Sequence, residues 1–206
     1  MTSSFIRDTR NDPLDASNGR FTSHAFEWGL SSLGSQLRYV KYFGQYFAYL
    51  PFAEPTVVPW VHTTRNRLVL AMGARIGLAS GLGGQEVIPS ERFLAGGGTT
   101  VRGFGQDTLG PLDAFGAPIG GDAMLVFNTE LRFPLYKFFD GVAFVDAGNV
   151  YRHLGDFTPF DLRASYGVGL RIRTPYVVLR LDYGLKFRPR PGESPDKFFG
   201  SIGQAF

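Results

Sequence analysis

From Leu68 to Ser80 the chain alternates strictly. Leu68, Leu70, Met72, Ala74, Ile76 and Leu78 form one row, and Val69, Ala71, Gly73, Arg75, Gly77 and Ala79 form the other. A period of two places successive side chains on opposite faces of a strand, so each row meets its own environment. The pattern recurs at Met124 to Phe133, where Leu125, Phe127, Thr129, Leu131 and Phe133 oppose Met124, Val126, Asn128, Glu130 and Arg132. In Arg163 to Arg173 the apolar row is Ala164, Tyr166, Val168, Leu170 and Ile172, and in Val177 to Phe187 it is Val177, Leu179, Leu181, Tyr183, Leu185 and Phe187. Each run is about ten residues, the length a tilted strand needs to cross hydrocarbon. Strands of soluble sandwiches average about five or six. The polar rows mix arginine with glycine, which suits a crowded, wet interior behind an apolar exterior.

Further strands are expected at Arg20 to Ser31, Gln36 to Leu50, Gly141 to Tyr151 and Asp196 to Phe206, giving eight. The second of these alternates poorly and does not reveal which row faces outward. The fold class is therefore all-β, a transmembrane antiparallel β-barrel segment of about eight strands. Connections are unequal: Pro134 to Asp140 and Thr174-Pro175 are short, while Gly81 to Gly121, Arg152 to Leu162 and Arg188 to Pro195 are longer. Outer-membrane barrels have short periplasmic turns and long extracellular loops, so the long set is expected outside and the C-terminus on the periplasmic side. The loop at about 81–120 exceeds the ordinary range and is a candidate functional element.

Several classes are excluded. The chain has no cysteine, which removes disulfide scaffolds and thiol nucleophiles. Its net charge of +3 is spread along the chain, whereas nucleic-acid binding needs clustered cations. His24, His62 and His153 are far apart, with no metal-ligand spacing. The apolar stretch Tyr42 to Thr64 is broken by Glu54, Pro51, Pro55 and Pro59, so it is no membrane helix, and Met1 to Asn18 lacks an apolar signal-peptide core. No nucleophile elbow, zinc-protease helix or phosphate loop occurs, so neither enzyme nor cofactor is expected. Asp146 and Asp182 stand near arginines and read as structural ion pairs rather than as an acid and a base.

The long loop contains Phe93-Leu94-Ala95-Gly96-Gly97-Gly98-Thr99-Thr100-Val101-Arg102-Gly103-Phe104. By itself this is a glycine-rich bend and extended tip carrying one arginine. In order around it stand Arg7-Asp8-Thr9-Arg10-Asn11-Asp12-Pro13-Leu14 with Gly19, then Asn128-Thr129-Glu130-Leu131-Arg132-Phe133-Pro134. Phe144-Val145-Asp146-Ala147-Gly148-Asn149-Val150-Tyr151, Tyr166-Gly167-Val168-Gly169-Leu170-Arg171 and Leu179-Arg180-Leu181-Asp182-Tyr183-Gly184 follow. The set resembles the BamA/TamA superfamily, the bacterial surface antigen or outer-membrane assembly-factor family, over nearly the whole chain.

The resemblance implies a sixteen-stranded barrel of which this chain is the C-terminal part, the periplasmic POTRA repeats and first barrel half lying outside it. Closure would then come from residues upstream or from another copy. It implies that the loop folds inward and that Val101, Arg102, Gly103 and Phe104 lock it, with Arg102 contacting Glu130 and Asp146. The alternation independently puts Glu130 on the polar row, where a guanidinium can pair with it. If Asp146 shares that row, Phe144 does too, and it is expected to pack against Phe104. The segment Phe198 to Phe206 is similar to the C-terminal recognition strand of outer-membrane barrels, with Phe198, Ile202 and Phe206 as its apolar positions. Such an edge can be captured by strand addition.

The implied partners are the outer-membrane bilayer, nascent outer-membrane or exported proteins and accessory assembly subunits. The implied location is the bacterial outer membrane, and the implied activity is insertion or translocation at a lateral seam. The alternatives are a passive channel and the barrel anchor of a larger surface or patatin-like protein; a soluble β-sandwich is the third reading.

Overall fold

The computed structural model of the chain describes residues 1–29, 38–53, 68–174 and 177–206. Among the described residues nine strands form a single antiparallel sheet in sequence order: β1 (Thr2–Asp8), β2 (Gly19–Gly29), β3 (Tyr39–Ala53), β4 (Leu68–Gly81), β5 (Ala123–Tyr136), β6 (Phe139–Tyr151), β7 (Arg163–Arg173), β8 (Val178–Lys186) and β9 (Asp196–Ile202). Every neighbour is the next strand in the chain, and β1 and β9 are the edges. Helix is confined, among the described residues, to two single 3₁₀ turns at Pro89–Glu91 and Leu154–Asp156.

The faces of β4, β5, β7 and β8 follow the alternation. In β4 the row Val69, Ala71, Gly73, Arg75, Gly77, Ala79 is buried, and the opposite row is half-exposed. In β5 the rows separate Asn128, Glu130 and Arg132, all buried, from Phe127 and Thr129, both exposed. For β3, pairing with β4 settles what the sequence leaves open. Lys41, Phe43, Gln45, Phe47 and Tyr49 lie opposite Ala79, Gly77, Arg75, Gly73 and Ala71, and so face inward. The expected positions 30–31, 36–37 and 175–176 lie outside the described residues.

The largest differences from expectation lie at the two ends of the chain. The strand Thr2–Asp8 is an addition to the expected eight. Neither of its rows, Thr2, Ser4, Ile6, Asp8 or Ser3, Phe5, Arg7, is apolar, so no periodic signal marks it; its pairing with β2 makes it a strand. At the other end β9 stops at Ile202, four residues short of the expected run. Gly203 takes φ +92°, in the left-handed region that favours glycine, and its N–H donates to Val178 O at 2.7 Å. The chain then leaves the sheet edge and turns inward.

The inner face is layered. At the long-loop end Val87, Phe93, Ala95, Val101, Phe104 and Leu109 from residues 82–122 pack on Ala79, Met124, Val126 and Val150 of the sheet. At the short-turn end Ala16, Phe47, Tyr49, Val69 and Ala71 form a second apolar cluster, against which Phe206 packs. Between the two lies a layer of buried charge.

A small ion-pair group ties the outer connections together. Arg163 donates to Glu193 from Nη1 at 2.8 Å and Nη2 at 2.6 Å, the Arg190 N–H donates at 3.1 Å, and Lys186 Nζ stands at 3.4 Å. The Arg163 bonds hold the Glu193 carboxyl at about 2, below its ordinary 4.5. A carboxyl lowered in the folded state contributes stability that is complete above about 4.5 and is lost as pH falls through about 2. Loosening of the 187–195 connection is expected in that window, followed by the ¹³C shift of the Glu193 carboxyl. Glu193→Gln is expected to remove the pH dependence, and an ordinary carboxyl midpoint would refute the clasp.

Candidate functional site

The loop from 82 to 122 is held together by its own contacts. Isolated bridges pair Phe93 with Gly121, Ala95 with Leu109 and Leu112 with Pro118, so the loop is a distorted hairpin. At its tip Gly96 and Gly97 take φ +107° and +96°. Thr100 Oγ1 accepts from the Gly96 N–H at 2.8 Å and donates to Gly96 O at 2.9 Å. This closed turn presents Val101, Arg102, Gly103 and Phe104, all buried, to the inner wall.

Arg102 is 1% exposed, and each of its three guanidinium nitrogens donates a hydrogen bond. Its Nε donates to Asp146 Oδ2 at 2.7 Å, Nη2 to Asp146 Oδ1 at 3.0 Å and Nη1 to Glu130 Oε2 at 2.7 Å. The Arg102 backbone N–H adds a bond of 3.0 Å to Asp146 Oδ2. A bidentate guanidinium-carboxylate pair is the strong form of such a contact. The guanidinium carbon lies 3.5 Å from the centre of the Phe144 ring, a cation–π contact in a dry setting. Phe144 thus packs under Arg102 and not against Phe104, as the sequence suggested. Phe104 instead sits between Arg163 and Lys186, at 4.6 and 5.0 Å, within the apolar cluster.

The pair belongs to a larger network. Glu130 also accepts from Arg132 Nε at 2.7 Å and Arg171 Nη2 at 3.2 Å. Arg171 Nη1 donates to Asp182 Oδ1 at 2.7 Å. Asn128 donates to Asp146 at 2.8 Å and to Thr100 O at 2.6 Å, and it accepts from Arg75 Nη1 at 2.8 Å. Five buried guanidiniums (Arg75, Arg102, Arg132, Arg171, Arg180) stand with four buried carboxylates (Glu130, Asp140, Asp146, Asp182), so the buried cations outnumber the buried acids by one. Asp182, Arg171 and Arg132 join the residues named from the motifs. Their inward rows were legible, but their convergence depends on the stagger between strands. Among the described residues no group of histidines and carboxylates could hold a metal ion.

Shape completes the seat. Gly103 has φ +91° and lies against Gly184, where an added Cβ would meet Gly103 N at 2.7 Å. Gly184→Val is therefore expected to displace the loop without altering any charged residue. Increased protease cleavage within 82–122, with the sheet retained, is the readout; unchanged cleavage would mean that the loop does not need this contact.

The C-terminal positions separate. Phe198 and Ile202 face outward on β9 and are exposed. Phe206 lies inside, 5.6 Å from the Phe47 ring and 6.5 Å from Tyr49. Gln204 bridges to Arg171 Nε at 3.2 Å and to Asp15 at 2.9 Å.

Comparison with known proteins gives this arrangement its family. The chain is 30% identical over 209 residues to the outer membrane protein assembly factor BamA of Nitratidesulfovibrio vulgaris, covering 98% of this chain and 25% of that protein. It is 32% identical over 149 residues to outer envelope protein 39, chloroplastic, of Arabidopsis thaliana, covering 64% and 38%. The crystal structure of BamA from Haemophilus ducreyi lacking POTRA domains 1–3 superposes with a TM-score of 0.78 at 23% identity, over 98% of this chain and 42% of that one. The chain thus spans well under half the length of each. The Omp85 superfamily domain matches residues 1–206, from end to end. The chain belongs to the Omp85 superfamily.

Proposed function

We propose that the chain is the C-terminal part of a bacterial outer-membrane barrel that inserts or translocates other outer-membrane proteins, without a cofactor or hydrolysis. The observation that carries this reading is the wall fixed by Arg102, which anchors the 82–122 loop to β5 and β6 in the middle of the sheet. In hydrocarbon each unsatisfied backbone group costs several kcal/mol, so a seam at which β9 pairs weakly with its neighbour is a template for an incoming strand. The Val101-Arg102-Gly103-Phe104 loop keeps the wall rigid opposite a lateral seam, and Phe198 and Ile202 mark the strand that borders it. The partners are the bilayer, nascent outer-membrane proteins and accessory subunits.

Topology bears on how the barrel closes. In a nine-stranded antiparallel ladder β1 and β9 run in the same direction. A second copy related by an axis along the membrane normal would have to join them in parallel. Antiparallel closure needs an odd number of further strands, which supports a preceding barrel segment over a second copy. The test is reconstitution of the full polypeptide into liposomes with an unfolded client barrel. Faster acquisition of heat-resistant client is expected, and a disulfide locking β9 to its neighbour should abolish it. Ion conductance with no acceleration would mark a passive channel instead.

A further inference from the structure

Arg180 and Ser201 are cross-strand partners on the inward faces of β8 and β9. Arg180 is 2% exposed. Its Nη1 is buried with no hydrogen-bond partner among the described residues, and so is Ser201 Oγ. Arg180 Nε stands 3.3 Å from Asp182 Oδ2 without hydrogen-bond geometry. Asp182 is shared among three cations: Oδ1 accepts from Arg171 at 2.7 Å, while Oδ2, which makes no hydrogen bond, stands between Arg180 Nε and Arg102 Nη1, the latter at 3.6 Å, and leaves Nη1 of Arg180 unmet. Above Arg180 the loop has Gly98, whose added Cβ would come within 3.0 Å of Nη2 and 3.6 Å of Phe199, so the loop leaves room only for the guanidinium. Buried donors left unsatisfied are costly, and the buried cations already outnumber the buried acids.

We infer that Arg180 and Ser201 form an oxyanion position filled by a carboxylate side chain of the strand that pairs with β9. The inference rests on the strand-capture reading above and names what that strand must carry. A strand added beyond β9 places its inward side chains about 5 Å from those of its neighbour, on the row of Ser201. An Asp or Glu there accepts from Arg180 Nη1 and from the Ser201 hydroxyl, and balances the excess charge. A glutamine in the same place satisfies the donors but leaves the charge.

Two measurements on the full polypeptide in detergent test this. In the first, synthetic peptides of about ten residues with alternating apolar rows carry either Glu or Gln at the inward positions. The Glu peptide is expected to bind about tenfold more tightly, and Arg180→Met is expected to erase the difference. In the second, Ser201→Asp supplies the carboxylate from within the chain. This variant is expected to raise Tm and to lose the preference for Glu even if Arg180→Met fails to fold. Equal binding of both peptides to the parent overturns the inference while leaving strand capture intact. Binding of neither peptide overturns strand capture, and the Tm of Ser201→Asp then decides the oxyanion position alone, a fall refuting it. Inorganic phosphate that raises the parent's Tm and abolishes the Glu preference would assign the position to a free anion and overturn the strand carboxylate.

Discussion

Arg102→Ala is expected to free the 82–122 loop while the sheet stays folded, at a cost of about 3–5 kcal/mol to the docked state. The variant loses two side-chain bonds to Asp146, one to Glu130 and the contact with the Phe144 ring. It keeps the backbone N–H bond to Asp146, which alanine supplies equally well. The consequences for the two acids differ. Glu130 retains Arg132 and Arg171, whereas Asp146 retains Asn128 and that single N–H, deep in the interior. Most of the penalty therefore falls on Asp146, and Arg102→Ala combined with Asp146→Asn is expected to recover part of it. Arg102→Lys should be intermediate, because an ammonium is a point charge and lacks the planar fork that spans both acids. Limited proteolysis between Gly96 and Gly110, with heat-modifiable mobility on gels as the control for the barrel, measures the effect. Unchanged cleavage in Arg102→Ala would show that the loop is held by its apolar residues alone.

Val145→Arg is expected to cost about 2–4 kcal/mol, and Leu135→Arg only about 0–1. Val145 is outward, 50% exposed and central in β6; Leu135 is outward near the short-turn end of β5. Both replace an apolar side chain by the same cation, so the difference isolates depth in the bilayer. Denaturant unfolding from phosphatidylcholine vesicles gives the comparison. Equal costs at the two positions would place the sheet outside a membrane and return the question to a soluble sandwich. A more obvious contrast on adjacent residues, Leu70 against Ala71, is unsuitable. Ala71 is fully buried against Phe47 and Tyr49, and an arginine there fails through overpacking whatever lies outside.

What could be read from the sequence divides along a physical line. Alternation is local, so the inward rows of β4, β5, β7 and β8 were legible residue by residue, Glu130 and Asp182 among them. β3 was illegible because both its rows carry aromatic residues, Phe43 and Phe47 inward, Tyr42 and Tyr46 outward; only pairing with β4 separates them. β1 was missed for a different reason: neither of its rows is apolar, and its strand character comes from its partner. The loop motif was visible as glycines and an arginine, but the partners of Arg102 came from the family resemblance. Residues 130 and 146 meet it through strand stagger and hairpin packing, which no single segment encodes. The unmet donors of Arg180 are the extreme case, because they depend on how three arginines from different segments divide one carboxylate, Asp182.

The two clasps on this loop face differ in their exposure to ions. The Arg163–Glu193 pair sits at the rim with its carboxylate a quarter exposed, while Arg102, Glu130 and Asp146 are sealed from water. At about 1 M salt the screening length falls to about 3 Å, which weakens exposed pairs and barely reaches buried ones. Ionic strength is thus a selective tool on this molecule. It loosens the outer connections while the inward loop stays seated, and it separates motion at the mouth from motion of the plug.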